Sequence, residues 1–178
     1  ACIAVVAHPD DQRYKHLFGS YAITPLFYAR VPIIASEHAD PEKGQGIMMV
    51  CTFGDSADVE WWQHSKLPLK QVISKQGTFL PIDFKTAPFH SLEPKTALDY
   101  YHSIQGKRVK VARKDIVALL QTAGTAVDKK DMALVGQPRP IEHPVKFYEK
   151  GDNPLEFIPT RQWFIAILDH KEALLKQG

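Results

Sequence analysis

Apolar residues fall along this chain in two rhythms, and the change from one to the other divides it. Short runs rich in Val, Ile and aromatic residues stand at 2–7, 22–27, 31–35, 47–53 and 69–74, separated by Gly, Pro and Asp. Such runs read as strands bounded by turns, and together they predict a sheet or barrel. Two short helices are expected among them, one near 11–18 closed by Gly19 and one near 56–65 that ends before Pro68. The rhythm then lengthens. Val109, Ala112, Ile116, Leu119, Leu120 and Ala123 recur at helical spacing with Gly124 just beyond, so 109–123 reads as an amphipathic helix, and 94–103 reads as a second helix. Both are expected to pack on the sheet. From about 136 the stretch Gly136-Gln-Pro-Arg-Pro-Ile-Glu-His-Pro144 excludes regular helix and favours an extended, semi-rigid connector. Short β-like runs follow at 145–148, 155–158 and 162–168, then a helix around 170–177. The division expected is a domain over 1–136 and a connector with a returning strand over 137–178.

Composition narrows the class. A chain of 178 residues that is 44% hydrophobic can bury a real core as one domain. A net charge of +2, from 22 basic and 20 acidic residues, neither demands nor excludes a nucleic-acid partner. No apolar run approaches the ~18 residues of a membrane span, and the first residues carry no basic n-region or cleavage site, so a soluble, cytoplasmic protein is expected. Cys2 and Cys51 lie in strand-like runs without a Cys-x-x-Cys pair and read as buried thiols. The eight histidines form no metal-ligand spacing, and Gly44-x-Gly46 lacks the rest of a nucleotide fingerprint, so neither metal nor cofactor is expected. The sequence opens directly inside a strand pattern with no initiator Met, and so reads as an excised piece.

The stretch with most chemical content is Gly44-Gln-Gly-Ile-Met-Met-Val-Cys-Thr-Phe-Gly-Asp-Ser-Ala-Asp-Val-Glu-Trp-Trp62: two glycines, an apolar strand, a Gly-Asp turn and a helix. It sets Asp55 and Asp58 at i and i+3 of a first helical turn, where both can face one way. The same spacing suits an N-cap and its N3 partner, with both charges at the positive end of the helix dipole. On spacing alone the capping reading is the commoner one.

This order resembles the Gly-Thr-Gly…His-Asp-x-x-Asp-[Phe/Tyr]-Glu signature of the editing domains of valyl-, isoleucyl- and leucyl-tRNA synthetases. Asp55 and Asp58 fall on its two aspartates. Cys51-Thr-Phe-Gly-Asp55 departs from the commoner Thr-Pro-Ala-His-Asp and is similar to a variant in one branch of the valyl enzymes. His8-Pro-Asp-Asp-Gln-Arg-Tyr14 looks like the His-Pro-[Asp/Glu]-Asp-Glu-Arg-Tyr of the same family. Read without the family, that motif offers Asp10 or Asp11 as a helix cap and Tyr14 as core packing. Val31-Pro-Ile-Ile-Ala35, Asp40-Pro-Glu-Lys-Gly44, His143-Pro-Val-Lys-Phe-Tyr148 and Arg161-Gln-Trp-Phe164 continue the likeness. It spans essentially the whole chain, with 75–135 adding length and pattern rather than motif.

The resemblance implies an α/β fold, a mainly antiparallel β-barrel with peripheral helices. It implies hydrolysis of threonine esterified to the valine tRNA, an error that arises because a hydrophobic pocket rejects a hydroxylated isostere by only about 10²-fold. The partners implied are the 3′ acceptor end of that tRNA and the rest of the synthetase chain. ATP with magnesium belongs to the synthetic domain, whose His-Ile-Gly-His and Lys-Met-Ser-Lys-Ser signatures are missing here, so no cofactor is expected in this stretch. Asp58 is expected to hold the substrate's α-ammonium by a charge-assisted hydrogen bond. Asp55 either orients the site and its water or caps the helix. Met49 stands where many valyl enzymes have lysine and is expected, with Phe53, to line the amino-acid pocket, although an apolar side chain cannot donate to threonine's hydroxyl. Simple core filling is the alternative for Met48 and Met49, and strand alternation lets only one of them face the pocket. The family's Thr-Thr-Arg-Pro-Glu strand is missing upstream, so the chain is expected to begin just after it.

Two rival functions follow. One is a module that docks the tRNA acceptor end but hydrolyses nothing. The other is editing for an isoleucyl or leucyl enzyme. Trp61 and Trp62 point about 100° apart on a helix, so at most one could stack on a base, and core packing suits at least one. The basic run 107–114 reads as the solvated face of the 109–123 helix.

Overall fold

A computed structural model describes residues 2–51, 62, 67–123, 132–140, 142, 147–151, 155, 158–163 and 165–177. Its centre is β1, Cys2–Ala7, whose Ile3, Ala4, Val6 and Ala7 are buried because the strand has a neighbour on each side. On one side it runs parallel to β3, Arg30–Ala35, with Val5 opposite Ile33 and Ala7 opposite Ala35. On the other it runs antiparallel to β4, Ile47–Cys51, with Val5 opposite Met49 and Val6 opposite Met48. A shift of register between Cys2 and Ala4 marks a bulge at the start of β1. The short β2, Tyr21–Ile23, pairs antiparallel with β3 and completes the order β2-β3-β1-β4.

These strands form an open, mixed sheet with two antiparallel pairs and one parallel, so the fold is α/β, but the described residues do not close it into the expected barrel. The cause is the connection. Parallel neighbours need a crossover of a dozen residues or more, and residues 8–29 supply one, carrying β2 to the far side of β3. The expected strand at 69–74 does not join the sheet. It makes one isolated bridge, Ile73 to Phe79, around a turn in which Ser74 Oγ accepts the N–H groups of Gln76 and Thr78.

The expected helix at 11–18 is replaced by successive turns and a 3₁₀ segment at Lys15–Leu17. Asp11 does not cap an α-helix. Its carboxylate takes the N–H of Arg13, two residues on, and the Arg13 guanidinium folds back onto it, which draws the chain into a tighter local ring.

Helices α1, Pro94–His102, and α2, Val109–Thr122, form where the apolar spacing puts them. Pro94 opens α1, where its missing N–H costs nothing. Rather than lying on the sheet, these helices build a second core: Phe84, Ala97, Tyr101, Ile104 and Ala112, with Phe27, Phe79, Ile82, Leu98 and Ile116 packed around them. Tyr101 meets Phe84 and Phe27 edge to face at 5.4 and 6.0 Å between ring centres, the arrangement aromatic quadrupoles favour. The sheet has its own core of Ile3, Ala4, Val6, Ala39 and Val50, flanked by Ile34, Trp62 and Leu67.

Beyond Gly136, residues 137–140 carry neither helix nor strand. The described parts of the expected runs at 155–158 and 162–168 form no strand, and the last two residues of the second lie in a 3₁₀ turn. A 3₁₀ turn at Ile167–His170 leads into α3, Lys171–Gln177, close to the helix expected there.

Candidate functional site

The site begins at a loop that glycine makes possible. Gly44 and Gly46 have φ of +64° and +76°, the left-handed region in which a side chain is strained. At Gly46 space is missing as well: a Cβ there would collide with Arg13 Nη2 and lie 2.9 Å from both Asp11 Oδ2 and the Pro41 carbonyl. Arg13 Nη2 donates to Asp11 Oδ2 at 2.7 Å and to the Pro41 carbonyl at 2.9 Å, and Nε donates to Asp11 Oδ1 at 2.9 Å. The Tyr14 hydroxyl donates to the Gln45 carbonyl at 2.7 Å. The Arg13 guanidinium holds the Asp11 carboxyl below the usual carboxylate range, and Asp11 in turn raises the pKa of Arg13. Tyr14, expected as core packing, is only half-buried and acts through its hydroxyl.

From Gly46 the chain enters β4, which lies at the edge of the described sheet. Val50 turns into the sheet's core, while Met48 and Met49 are 44% and 60% exposed. Core filling therefore does not describe either methionine. Among the described residues β4 is paired on one side only, and the pleat sends the two methionines to opposite faces. Met49 is the one expected pocket residue that the described structure places, beside Val5 on the accessible face of the edge. Phe53, Asp55 and Asp58 lie outside the described residues, as does Trp61. Trp62 is half-buried against the sheet's core, the structural of its two readings.

At the far end of β4, Cys51 pairs with Cys2 across the strands. Cys51 is exposed and Cys2 partly buried, so neither is the fully buried thiol expected. Burial, with Cys51 adding to it, pushes the Cys2 thiol up to about 11. Buried Lys70 reaches the Cys2 carbonyl with Nζ at 3.1 Å, and desolvation lowers its pKa. Neither the reach of Lys70 nor the second contact of Arg13 was readable from sequence, because Pro41 and Cys2 are remote in the chain. The one local signal was Asp11-x-Arg13, a carboxylate and guanidinium two residues apart.

Among the described residues no group of three His, Cys, Asp or Glu could hold a metal ion, and no helix is long and apolar enough to cross a membrane.

No family model matches the chain. Curated relatives do. The valine–tRNA ligase of Thermobifida fusca is 44% identical over 182 residues, covering 100% of this chain and 19% of the relative. That of Salinispora tropica is 46% identical over 165 residues, 93% of this chain and 18% of the relative, and that of Rickettsia felis 41% identical over 178 residues, 100% and 18%. The chain belongs to the valine–tRNA ligase family, as one segment of it. It spans about a fifth of the length of these ligases. The Gly44–Gly46 turn, β4 and the Asp11-Arg13-Tyr14 cluster all lie within the stretch aligned with the Thermobifida ligase, which covers the whole chain.

Proposed function

We propose that this segment is the editing module of a valine–tRNA ligase, which hydrolyses threonine mistakenly esterified to the valine tRNA. The observation that carries the reading is whole-length homology to one segment of valine–tRNA ligases, in a chain that sets Gly44-x-Gly46, β4 and Asp55-x-x-Asp58 in the order of the family's editing signature. In this reading water attacks the ester carbonyl carbon, the bond to the ribose oxygen breaks, and free threonine and an uncharged 3′ hydroxyl result. Asp58 holds the α-ammonium, Asp55 accepts a hydrogen bond from the water, and Met49 with Phe53 walls the amino-acid side chain. The partners are the tRNA acceptor end and the rest of the ligase, in the cytoplasm. No resident cofactor is required, because ester hydrolysis needs only a positioned water and stabilised charge.

The test uses a full-length ligase carrying this segment, offered threonyl- and valyl-tRNA of the valine acceptor. Selective clearance of threonine, lost in Asp58→Ala while aminoacylation with valine persists, is the expected result. Met49→Lys should change the ratio of threonyl to valyl hydrolysis. If the wild type clears neither ester, the segment only docks the acceptor end; a preference for another branched-chain acceptor assigns it to a different editing specificity.

A further inference from the structure

The cluster around Arg13 lies outside the pocket residues just named, yet it grips the loop that delivers them. Three contacts converge on residues 41–46. Arg13 Nη2 ties the Pro41 carbonyl, the Tyr14 hydroxyl ties the Gln45 carbonyl, and Gly46 presses against Arg13 and Asp11 with no room for a side chain. The grip is braced from inside: the Asp11 carboxylate is 4% exposed and takes the guanidinium in a fork, Nε and Nη2 to its two oxygens at 2.9 and 2.7 Å. Gly46 passes without a linker into Ile47, the first residue of β4, and Met49 is two residues further on. Among the described residues β4 is held on one side, by β1. With no described strand along its outer edge, the angle at which the chain enters β4 bears on where Met49 points.

We propose that Arg13, braced by Asp11 and assisted by Tyr14, is a positioning residue for the amino-acid pocket: it fixes the 41–46 loop and thereby the placement of Met49 on the sheet edge. This rests on the editing function proposed above. The pocket must distinguish valine from threonine, which are nearly isosteric, and small displacements of a positioned group carry large losses of rate. Lysine cannot replace the planar fork, because one ammonium does not span both carboxylate oxygens and the Pro41 carbonyl.

Two readouts separate the grip from the function. In the 178-residue chain, methyl NMR of its three methionines compares wild type with Arg13→Lys, Arg13→Gln and Tyr14→Phe. The Met48 and Met49 signals should shift in the Arg13 variants, and to a smaller extent in Tyr14→Phe, while Met132 stays in place. In a full-length ligase carrying the segment, Arg13→Lys and Arg13→Gln should both lower kcat for threonyl-ester hydrolysis by about 10-fold or more. KM for the charged tRNA should stay within about two-fold, and valine aminoacylation should be unchanged. Unshifted Met48 and Met49 signals overturn the proposal whatever the activity. So does a full kcat per folded molecule in Arg13→Lys. Failure of the wild type to hydrolyse threonyl ester would instead sink the editing reading, and the pocket role with it, while the methionine signals still report the grip.

Discussion

The Tyr101 hydroxyl donates to the carbonyl of Leu80 at 2.6 Å, and this one bond ties α1 to the loop that carries Phe79 and Phe84. Burial raises the pKa of the phenol, so the hydroxyl stays a donor throughout the working pH range. Tyr101→Phe keeps the edge-to-face ring contacts and strands the Leu80 carbonyl. We expect it to destabilise the chain by about 1–2 kcal/mol in urea unfolding, with threonyl-ester hydrolysis per folded molecule unchanged.

Gly44 and Gly46 separate strain from collision. Both occupy the left-handed region, but a Cβ at Gly44 meets open space and one at Gly46 meets Arg13, Asp11 and Pro41. Gly44→Ala should cost about 1–2 kcal/mol from backbone strain alone. Gly46→Ala adds overpacking and should cost roughly 2–5 kcal/mol. Equal unfolding midpoints for the two variants would show that the loop gives way freely at Gly46.

Hydrophobic rhythm located β1, β3, β4, α1 and α2 to within a residue or two, because each buries a face whose period is written locally. It could not locate strand partners. The parallel pairing of β1 with β3 depends on how residues 8–29 cross, and local pattern says nothing of direction. At 11–18 the sequence carried plausible helix signals, and a side chain prevailed over them: Asp11 had a stronger partner in Arg13 than in a helix terminus. The site was legible only as motif. Met49 could be named because a signature marks its position, whereas the grip on the 41–46 loop joins residues about thirty positions apart. No periodicity encodes such a contact.

The cross-strand cysteines should differ in reactivity. Cys51 is exposed, while the Cys2 thiol is partly buried and pushed up to about 11. At pH 8, iodoacetamide followed by peptide mass mapping should modify Cys51 first and Cys2 only on unfolding, since the thiolate is the nucleophile. The linkage has a definite sign. A thiol raised above its ordinary value of about 8.5 leaves stability intact below that pH and erodes it as pH climbs towards about 11.

Acid should loosen the loop through Asp11. The hydrogen bond from Arg13 lowers the Asp11 pKa, so its contribution is complete above the ordinary carboxylate value of about 3.9 and is lost as pH falls through the folded value below it. Wild type and Asp11→Asn should differ in unfolding midpoint at pH 6 and converge as the pH is lowered towards 2. Parallel curves across that range would mean that the carboxylate is not the brace.

The place of β1 at the middle of the sheet also bears on how the chain comes off the ribosome. Among the described residues β1 pairs with β3 and β4, and β2 with β3. Until Arg30–Ala35 has been synthesised neither β1 nor β2 can pair with β3, and the ladder of β1 with β4 waits for Ile47–Cys51. By contrast α1, α2 and the loop before them are neighbours in sequence and can close on themselves, as contacts of short sequence separation do quickly. The ladders of β1 with β3 and β4 are therefore closed only by strands made after it, whereas the second core draws mostly on residues close together in sequence.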